Sequence, residues 1–340
     1  MLRQFIILAI CGATLICGVS NPADPGVKSD GRVLMVEHPG ATRSYVPQTD
    51  PVRELVRTGL EHFTGKRDIT EAWLSLVSTQ DIVGLKVYSA PGPASGTRKT
   101  VVAALIETLI EAGITPRQIV LWDRRLIDLR LAGYFELAAK YNVRVEGAVD
   151  SGFDARVPYS STILGKLVFS DLEFGKRGDG VGKNSYVSTL LTREITKIVN
   201  VTPLLNHNVA GVSGVIYGLA IGSIDNTLRF EEPDRLANAV PEIYALPEIG
   251  DRVVLNIVDA LICQYRGEER TLLHYSTPLN QLWFSTDPVA LDVLALAELT
   301  RQNKERKLSK STQSLYDNAA LLELGTASVD QIRVEHLVLK

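Results

Sequence analysis

Cysteine is scarce: there are three in 340 residues, and two of them, Cys11 and Cys17, fall in an apolar N-terminal run. Once that run is removed, Cys263 stands alone, which excludes an intramolecular disulfide, a cysteine-ligated iron-sulfur cluster and an all-thiolate zinc site. Cys263 follows the apolar stretch Val253 to Ile262 and reads as a small buried residue. An excess of charge of either sign is also lacking. Against 36 Lys and Arg stand 39 Asp and Glu, a formal net charge of -3, and no basic block is interleaved with aromatics. Nucleic acid is therefore not expected as a partner. The N-terminal run from Phe5 to Val19 is shorter than the roughly 20 apolar residues that span a bilayer, so no stable transmembrane anchor is expected in the mature chain.

That run is preceded by Arg3 and followed by Gly18-x-Ser20, which together give the three regions of a secretory signal peptide over residues 1–20. The expectation is an exported protein, periplasmic or extracellular, whose mature chain opens with a flexible, Pro-, Gly- and Asp-rich tail at 21–31. Residues 32–340 share the ordinary globular composition of the chain, 45% hydrophobic and 22% charged. A chain of this size buries about 75% of its extended surface and folds without disulfides or a structural metal.

Apolar strand patterns at 33–36, 82–87, 119–122, 143–146, 195–201, 253–258 and 332–339 alternate with helical patterns. Asp50-Pro51 opens a helix to about His62, and a second short helix covers Ile69 to Leu76. Thr97 can cap a helix that stops at Gly113, and a further helix runs from about Arg125 to Tyr141. Glu232-Pro233-Asp234 starts another, and Thr286-Asp287-Pro288 caps the last. This is an α/β fold with a mostly parallel sheet flanked by helices, in one lobe or two. Residues 151–192, richer in Gly, Ser and Asp, read as an irregular insertion, loop or hairpin.

In parallel α/β sheets ligands gather outside the carboxyl ends of the strands, where a helix N-terminus can hold an anion. The segment from Asn200 to Tyr217 has that form: a strand runs into Asn206, His207 and Asn208, and a turn containing Ser213 and Gly214 enters a helix. Other polar residues sit at predicted strand ends: Lys86, with Thr97 and Arg98 beyond it, then Asp123 and Arg124, then Asp259. Arg98 and Arg124 could grip a carboxylate or phosphate bidentately. Asp225, Asn226 and Arg229 follow Gly222, and Asp225 with His207 could bind a divalent metal, though no spacing places ligands one helical turn apart. Neither a phosphate-loop lysine nor a Gly-x-Gly-x-x-Gly fingerprint is present.

The blocks Asn206-His207-Asn208-x-Ala210-Gly211-Val212-Ser213-Gly214 and Gly222 to Phe230 resemble the domain of unknown function 362 family. Val83 to Val87, Asn256 to Asp259 and Thr286 to Asp292 match it as well, so the resemblance covers roughly residues 75–300. It implies no activity. Some members carry a ferredoxin-like iron-sulfur module, for which this chain lacks the cysteines. A more distant likeness is to the nickel-dependent lactate racemase family, in which a histidine before a Gly-x-Ser-Gly turn precedes a lysine that anchors a nickel pincer cofactor. His207 fits that histidine and Thr97-Arg98 the substrate-facing pair, while Asp123-Arg124-Arg125 falls where that family has another histidine. Tyr217 occupies the lysine position and cannot supply the amine, and no histidine lies between His207 and His274.

Two functional classes follow. One is an exported enzyme acting on a small anionic metabolite, with His207 as acid or base, Asn206, Asn208 and Ser213 orienting the substrate, and Arg98 or Arg124 holding its charge. The other is a non-catalytic periplasmic protein that captures a ligand on the same rim.

Overall fold

The computed structural model describes residues 31–176, 180–305 and 307–340; the expected signal peptide and nearly all of the tail lie outside the described residues. The first half contains β1 (Arg32–Glu37), a small ribbon of β2 (Thr42–Arg43) and β3 (Val46–Pro47), α1 (Thr49–Thr64), α2 (Ile69–Leu74), β4 (Val83–Lys86), α3 (Lys99–Glu111), β5 (Ile119–Asp123), α4 (Leu126–Leu131), α5 (Tyr134–Tyr141) and β6 (Arg144–Gly147). A hairpin of β7 (Phe153–Lys166) and β8 (Val181–Ser188) follows. The second half contains β9 (Lys197–His207), β10 (Gly211–Val212), α6 (Val215–Gly222), α7 (Pro233–Tyr244), β11 (Val253–Gln264), β12 (Ser276–Ser285), α8 (Pro288–Gln302), α9 (Lys310–Leu321) and β13 (Arg333–Val338).

Among the described residues, nine strands join in one sheet of order β13-β1-β12-β11-β9-β4-β5-β6, with β10 folded back antiparallel on β9. The run from β11 to β6 is parallel throughout, as is the pair β1 and β13. β12 is antiparallel to both of its neighbours. The fold is therefore the mostly parallel, helix-flanked α/β sheet read from the sequence.

Strand residues alternate between two cores. Leu34, Leu85, Leu121, Val199, Ile257 and Phe284 face a core shared with α1, α2, α3 and α5. Val33, Trp122, Ile198, Val258 and Trp283 face a second core shared with α6, α7, α8 and α9. Because both faces are covered, β4 and β5 are buried along their whole length. A doubly covered strand shows no polar alternation, which is why these segments read as short apolar runs. From β4 the chain moves through α3 to β5 and β6 on one side, while β9 and β11 lie on the other. The carboxyl ends of β4 and β9 thus flank the point where strand order reverses, the position at which ligands collect in open α/β sheets.

Four local readings change. α1 begins at Thr49 with Gln48 as its N-cap, so Asp50 lies in the first turn and does not cap it. α3 is preceded by Arg98 and not capped by Thr97, because the Thr97 hydroxyl is used between strands. The helix expected from Arg125 to Tyr141 is two, α4 and α5, divided at Gly133, whose φ of +82° breaks helical geometry. β12 and α9 had no counterpart in the sequence pattern. Pro278 and left-handed Asn280 interrupt the β12 signal, and α9 buries only Thr312, Leu315, Tyr316 and Ala319. Cys263 is buried in β11, as expected. No helix among the described residues is long and apolar enough to cross a membrane.

Candidate functional site

Lys86, Asp123 and His207 are the last residues of β4, β5 and β9, three strands that lie side by side and parallel. Lys86 stands in register with Trp122 and Asn200, so Lys86 and Asp123 end their strands together while β9 runs seven residues further before it ends at His207. The imidazole of His207 is fixed by the chain that follows it: Nδ1 accepts hydrogen bonds from the backbone N–H groups of Ala210 (2.9 Å) and Val209 (3.2 Å). A nitrogen accepting from two donors carries no proton, so the proton of the neutral ring sits on Nε2. Burial lowers the pKa of His207 below its ordinary value, opposed only in part by the Glu268 carboxylate. The ring packs on Tyr217 of α6 with centroids 4.4 Å apart.

His207 and Arg124 line one cavity of about 270 Å³, together with Tyr217, Ile221 and Thr227. Arg124, Tyr217 and Ile221 also line an adjoining cavity of about 330 Å³ that reaches Asp123, Tyr88 and Asp171. The Arg124 guanidinium donates through Nη1 to the Ile221 carbonyl at 3.3 Å, while its Nε is buried without a hydrogen-bond partner. Burial lowers its pKa, with Arg125 adding to the effect. An unused guanidinium donor and a neutral ring carrying an N–H favour an anion in the cavity they share, where Glu231 is the one carboxylate on the wall; the adjoining cavity, lined by Asp123, Asp128, Asp171 and Glu269, does not.

The other charged strand-end residues are engaged within the protein. Lys86 Nζ lies 2.8 Å from Asp123 Oδ1 and donates to the Val87 carbonyl at 2.7 Å. Asp123 also accepts from the Ser89 N–H and hydroxyl and from the Arg124 N–H. Arg98, expected beside Arg124, lines none of the cavities described here. Its Nη1 is 3.1 Å from Asp259 Oδ1, its N–H donates to Asp259 Oδ2, and its Nη2 donates to the carbonyls of Ala94 and Ile262. The Thr97 hydroxyl donates to the Val201 carbonyl at 2.8 Å and accepts from the Tyr88 N–H. Thr97, Arg98 and Asp259 therefore tie the entrance of α3 to β9 and β11, and of the two arginines only Arg124 shares a cavity with His207. Asn206 and Asn208 embrace the loop after β11: Asn206 Oδ1 accepts from the Glu268 N–H, and the Asn208 N–H donates to the Glu268 carboxylate at 2.7 Å.

The N-terminus of α6, where the sequence suggested an anion, is occupied from within. Asp292 of α8 accepts from the N–H groups of Val215 (2.6 Å) and Ile216 (3.0 Å). Ser213 is buried and its N–H donates to the Leu205 carbonyl. Gly214 adopts φ +52°, and a Cβ there would lie 2.7 Å from Asp292 Oδ2. Replacing Gly214 with alanine is thus expected to cost about 1–3 kcal/mol of stability through strain at a glycine-only conformation. Denaturant unfolding checks this, and a change below about 0.5 kcal/mol, the usual range of an unconstrained surface substitution, would contradict it.

Asp225, Asn226 and Arg229 form a separate cluster under the β7–β8 hairpin. Asp225 accepts from the N–H groups of Leu172 and Tyr186, Asn226 donates to Asp171 and to the Asn184 carbonyl, and Arg229 donates to Ser161. Burial raises the pKa of Asp225 to about 6, with Asp171 and Glu173 adding to it. Among the described residues no group of three or more His, Cys, Asp or Glu is arranged to hold a metal ion. Sequence reasoning passed over Asp292 and Tyr217 as site residues. Asp292 looks like one more turn of α8 until α6 is laid across it, and Tyr217 is ten residues from the ring it packs on.

A doubly wound α/β protein with a polar cavity at the strand ends is what fold and site define. The chain belongs to the family described as Domain of unknown function (DUF362), whose model matches residues 83–297, from the start of β4 into α8. It is also similar to a protein from Thermotoga maritima of known crystal structure, at 10% identity and a TM-score of 0.42 over 74% of this chain. The match covers 59% of that protein, so this chain spans about three fifths of its length. A search of curated proteins finds no match.

Proposed function

We propose that the protein binds a small anionic molecule in the cavity shared by His207 and Arg124, and acts on it through His207. The observation that carries this reading is the pairing, on the walls of one cavity, of a neutral imidazole and a half-buried guanidinium whose buried Nε lacks a partner. With Nδ1 taken by backbone donors, His207 serves as a hydrogen-bond donor through Nε2–H, suited to an oxygen that gains negative charge. Arg124 holds the existing charge, and Tyr217 supports the imidazole face. Export from the cytoplasm and a divalent-metal cofactor belong to the same proposal and rest on sequence alone.

Thermal unfolding with acetate and succinate as probes, at ionic strength held constant with chloride, tests it. A ligand that binds only the folded state raises the midpoint. The expected result is a rise for the parent protein and at least a roughly tenfold weaker response for Arg124→Gln, the loss of one charge-assisted contact. His207→Gln is expected to change affinity less than about tenfold while lowering any turnover by about 10²–10⁴-fold. No response in the parent, or an equal response in Arg124→Gln, would overturn the site. Equal losses of affinity and turnover in His207→Gln would make the protein a binder whose histidine only holds the ligand.

A further inference from the structure

On the far side of His207 lies a third cavity, of about 360 Å³, that Arg124 does not line. Three cationic side chains line it, Arg266, Arg270 and Lys307, and no carboxylate does. Neutral hydrogen-bonding groups fill in around them, among them Asn206, Asn208 and Ser309. The surrounding backbone is fixed. Gln264, buried at the end of β11, donates to the carbonyls of Glu268 and Arg270 and so braces the 265–271 loop from beneath. Asn206 and Asn208 hold the same loop through Glu268. On the opposite wall, Thr312 and Tyr316 of α9 donate to the carbonyls of Val209 and Ala210, the two residues whose N–H groups orient His207.

Arg266 is engaged by Asn303 and by the exposed Glu305. Among the described residues no hydrogen bond or ion pair is made by the side chains of Arg270 or Lys307, and both are exposed at the cavity rim. With Arg266 paired to Glu305, Arg270 and Lys307 leave two unpaired positive charges at this cavity, which a doubly charged anion matches and a singly charged one only half offsets. A phosphate group carries about two charges and three strong acceptor oxygens, which match the cations and the neutral donors. The α9 N-terminus, with Ser309 as its N-cap, adds a partial positive charge to the same wall. We infer that this cavity is a binding site for a phosphate-bearing polar ligand, one that shares the His207 wall with the neighbouring cavity but takes its charge from Arg270 and Lys307.

Isothermal titration with inorganic pyrophosphate in metal-free, low-salt buffer tests the assignment. Arg270→Ser/Lys307→Ser alters two exposed side chains, so its melting midpoint should match the parent's. The parent is expected to bind pyrophosphate saturably, and the double variant at least about tenfold more weakly. Arg124→Gln should bind it within about twofold of the parent, a difference of only a few tenths of a kcal/mol; this separates the site from the carboxylate reading of the neighbouring cavity. No saturable binding by the parent, or affinity unchanged in the double variant, would overturn the inference. A loss in Arg124→Gln as large as in the double variant would place the anion in the other cavity and overturn it too.

Discussion

Replacing Lys86 with methionine is expected to remove about 3–5 kcal/mol of unfolding free energy, the usual cost of leaving half of a buried ion pair behind. The Lys86 and Asp123 side chains are 1% and 6% exposed, with 2.8 Å between Nζ and Oδ1. Methionine keeps the length of the side chain, so packing against Trp122 and Tyr88, whose rings lie 5.6 and 5.9 Å from Nζ, changes little. What changes is charge. Asp123 retains the N–H and hydroxyl of Ser89 and the N–H of Arg124, neutral donors that cannot balance a buried carboxylate. Lys86→Met/Asp123→Asn should therefore be more stable than Lys86→Met alone, and a double-mutant cycle by denaturant unfolding measures the coupling. A single variant within about 1 kcal/mol of the parent would show that the pair is worth no more than an exposed one. The pair also supports the cavity wall: a Cβ on Gly222, at the end of α6, would lie 2.8 Å from Lys86 Cε. α6 therefore rests on the lysine.

The sheet was legible because its physics is local. A strand covered on both faces needs apolar residues throughout, and that is what Val83 to Leu85 and Ile119 to Trp122 are. The turn from β9 into α6 was legible for the same reason, since polar residues followed by a glycine must end the strand. The partners of the charges were not. Arg98 and Asp259 are 161 residues apart, and Asp292 is 77 and 76 residues from the two N–H groups that it accepts from. Nothing in the spacing distinguishes an arginine that grips a ligand from one that grips a neighbouring strand. Topology decides: Asp259 on β11 stands across β9 from the entrance of α3 and pairs with Arg98, whereas Arg124, one residue past β5, forms no ion pair among the described residues, with Asp171 and Asp123 acting on it only at longer range. The sequence thus placed these residues at strand ends and overstated how many of their charges face the cavity.

Asp292 carries the second large expectation. It is 1% exposed and accepts from both leading N–H groups of α6, so Asp292→Ala leaves two buried donors without an acceptor and a void beside them. The expected loss is about 3–5 kcal/mol, the sum of two unsatisfied groups and a small cavity. α6 carries Tyr217 and Ile221, so the same variant should also weaken anion binding beside His207. The ionisation of Asp292 gives a second, independent readout. Burial raises its pKa to about 7, against the pull of the two backbone donors. A carboxyl whose pKa is higher in the folded than in the unfolded state stabilises the fold fully below its unfolded value and loses that contribution as pH rises through the folded one. From pH 5 to pH 8 this group should cost the parent about 2 kcal/mol, and Asp292→Asn, which cannot ionise, should lack that slope. His207, its pKa lowered by burial, contributes with the opposite sign, losing stability as pH falls. It does so equally in both proteins, so the difference between their unfolding free energies isolates Asp292. That difference should be larger at pH 5 than at pH 8. If it is the same at both, the carboxylate is already ionised across the range and the α6 N-terminus holds it as a full anion.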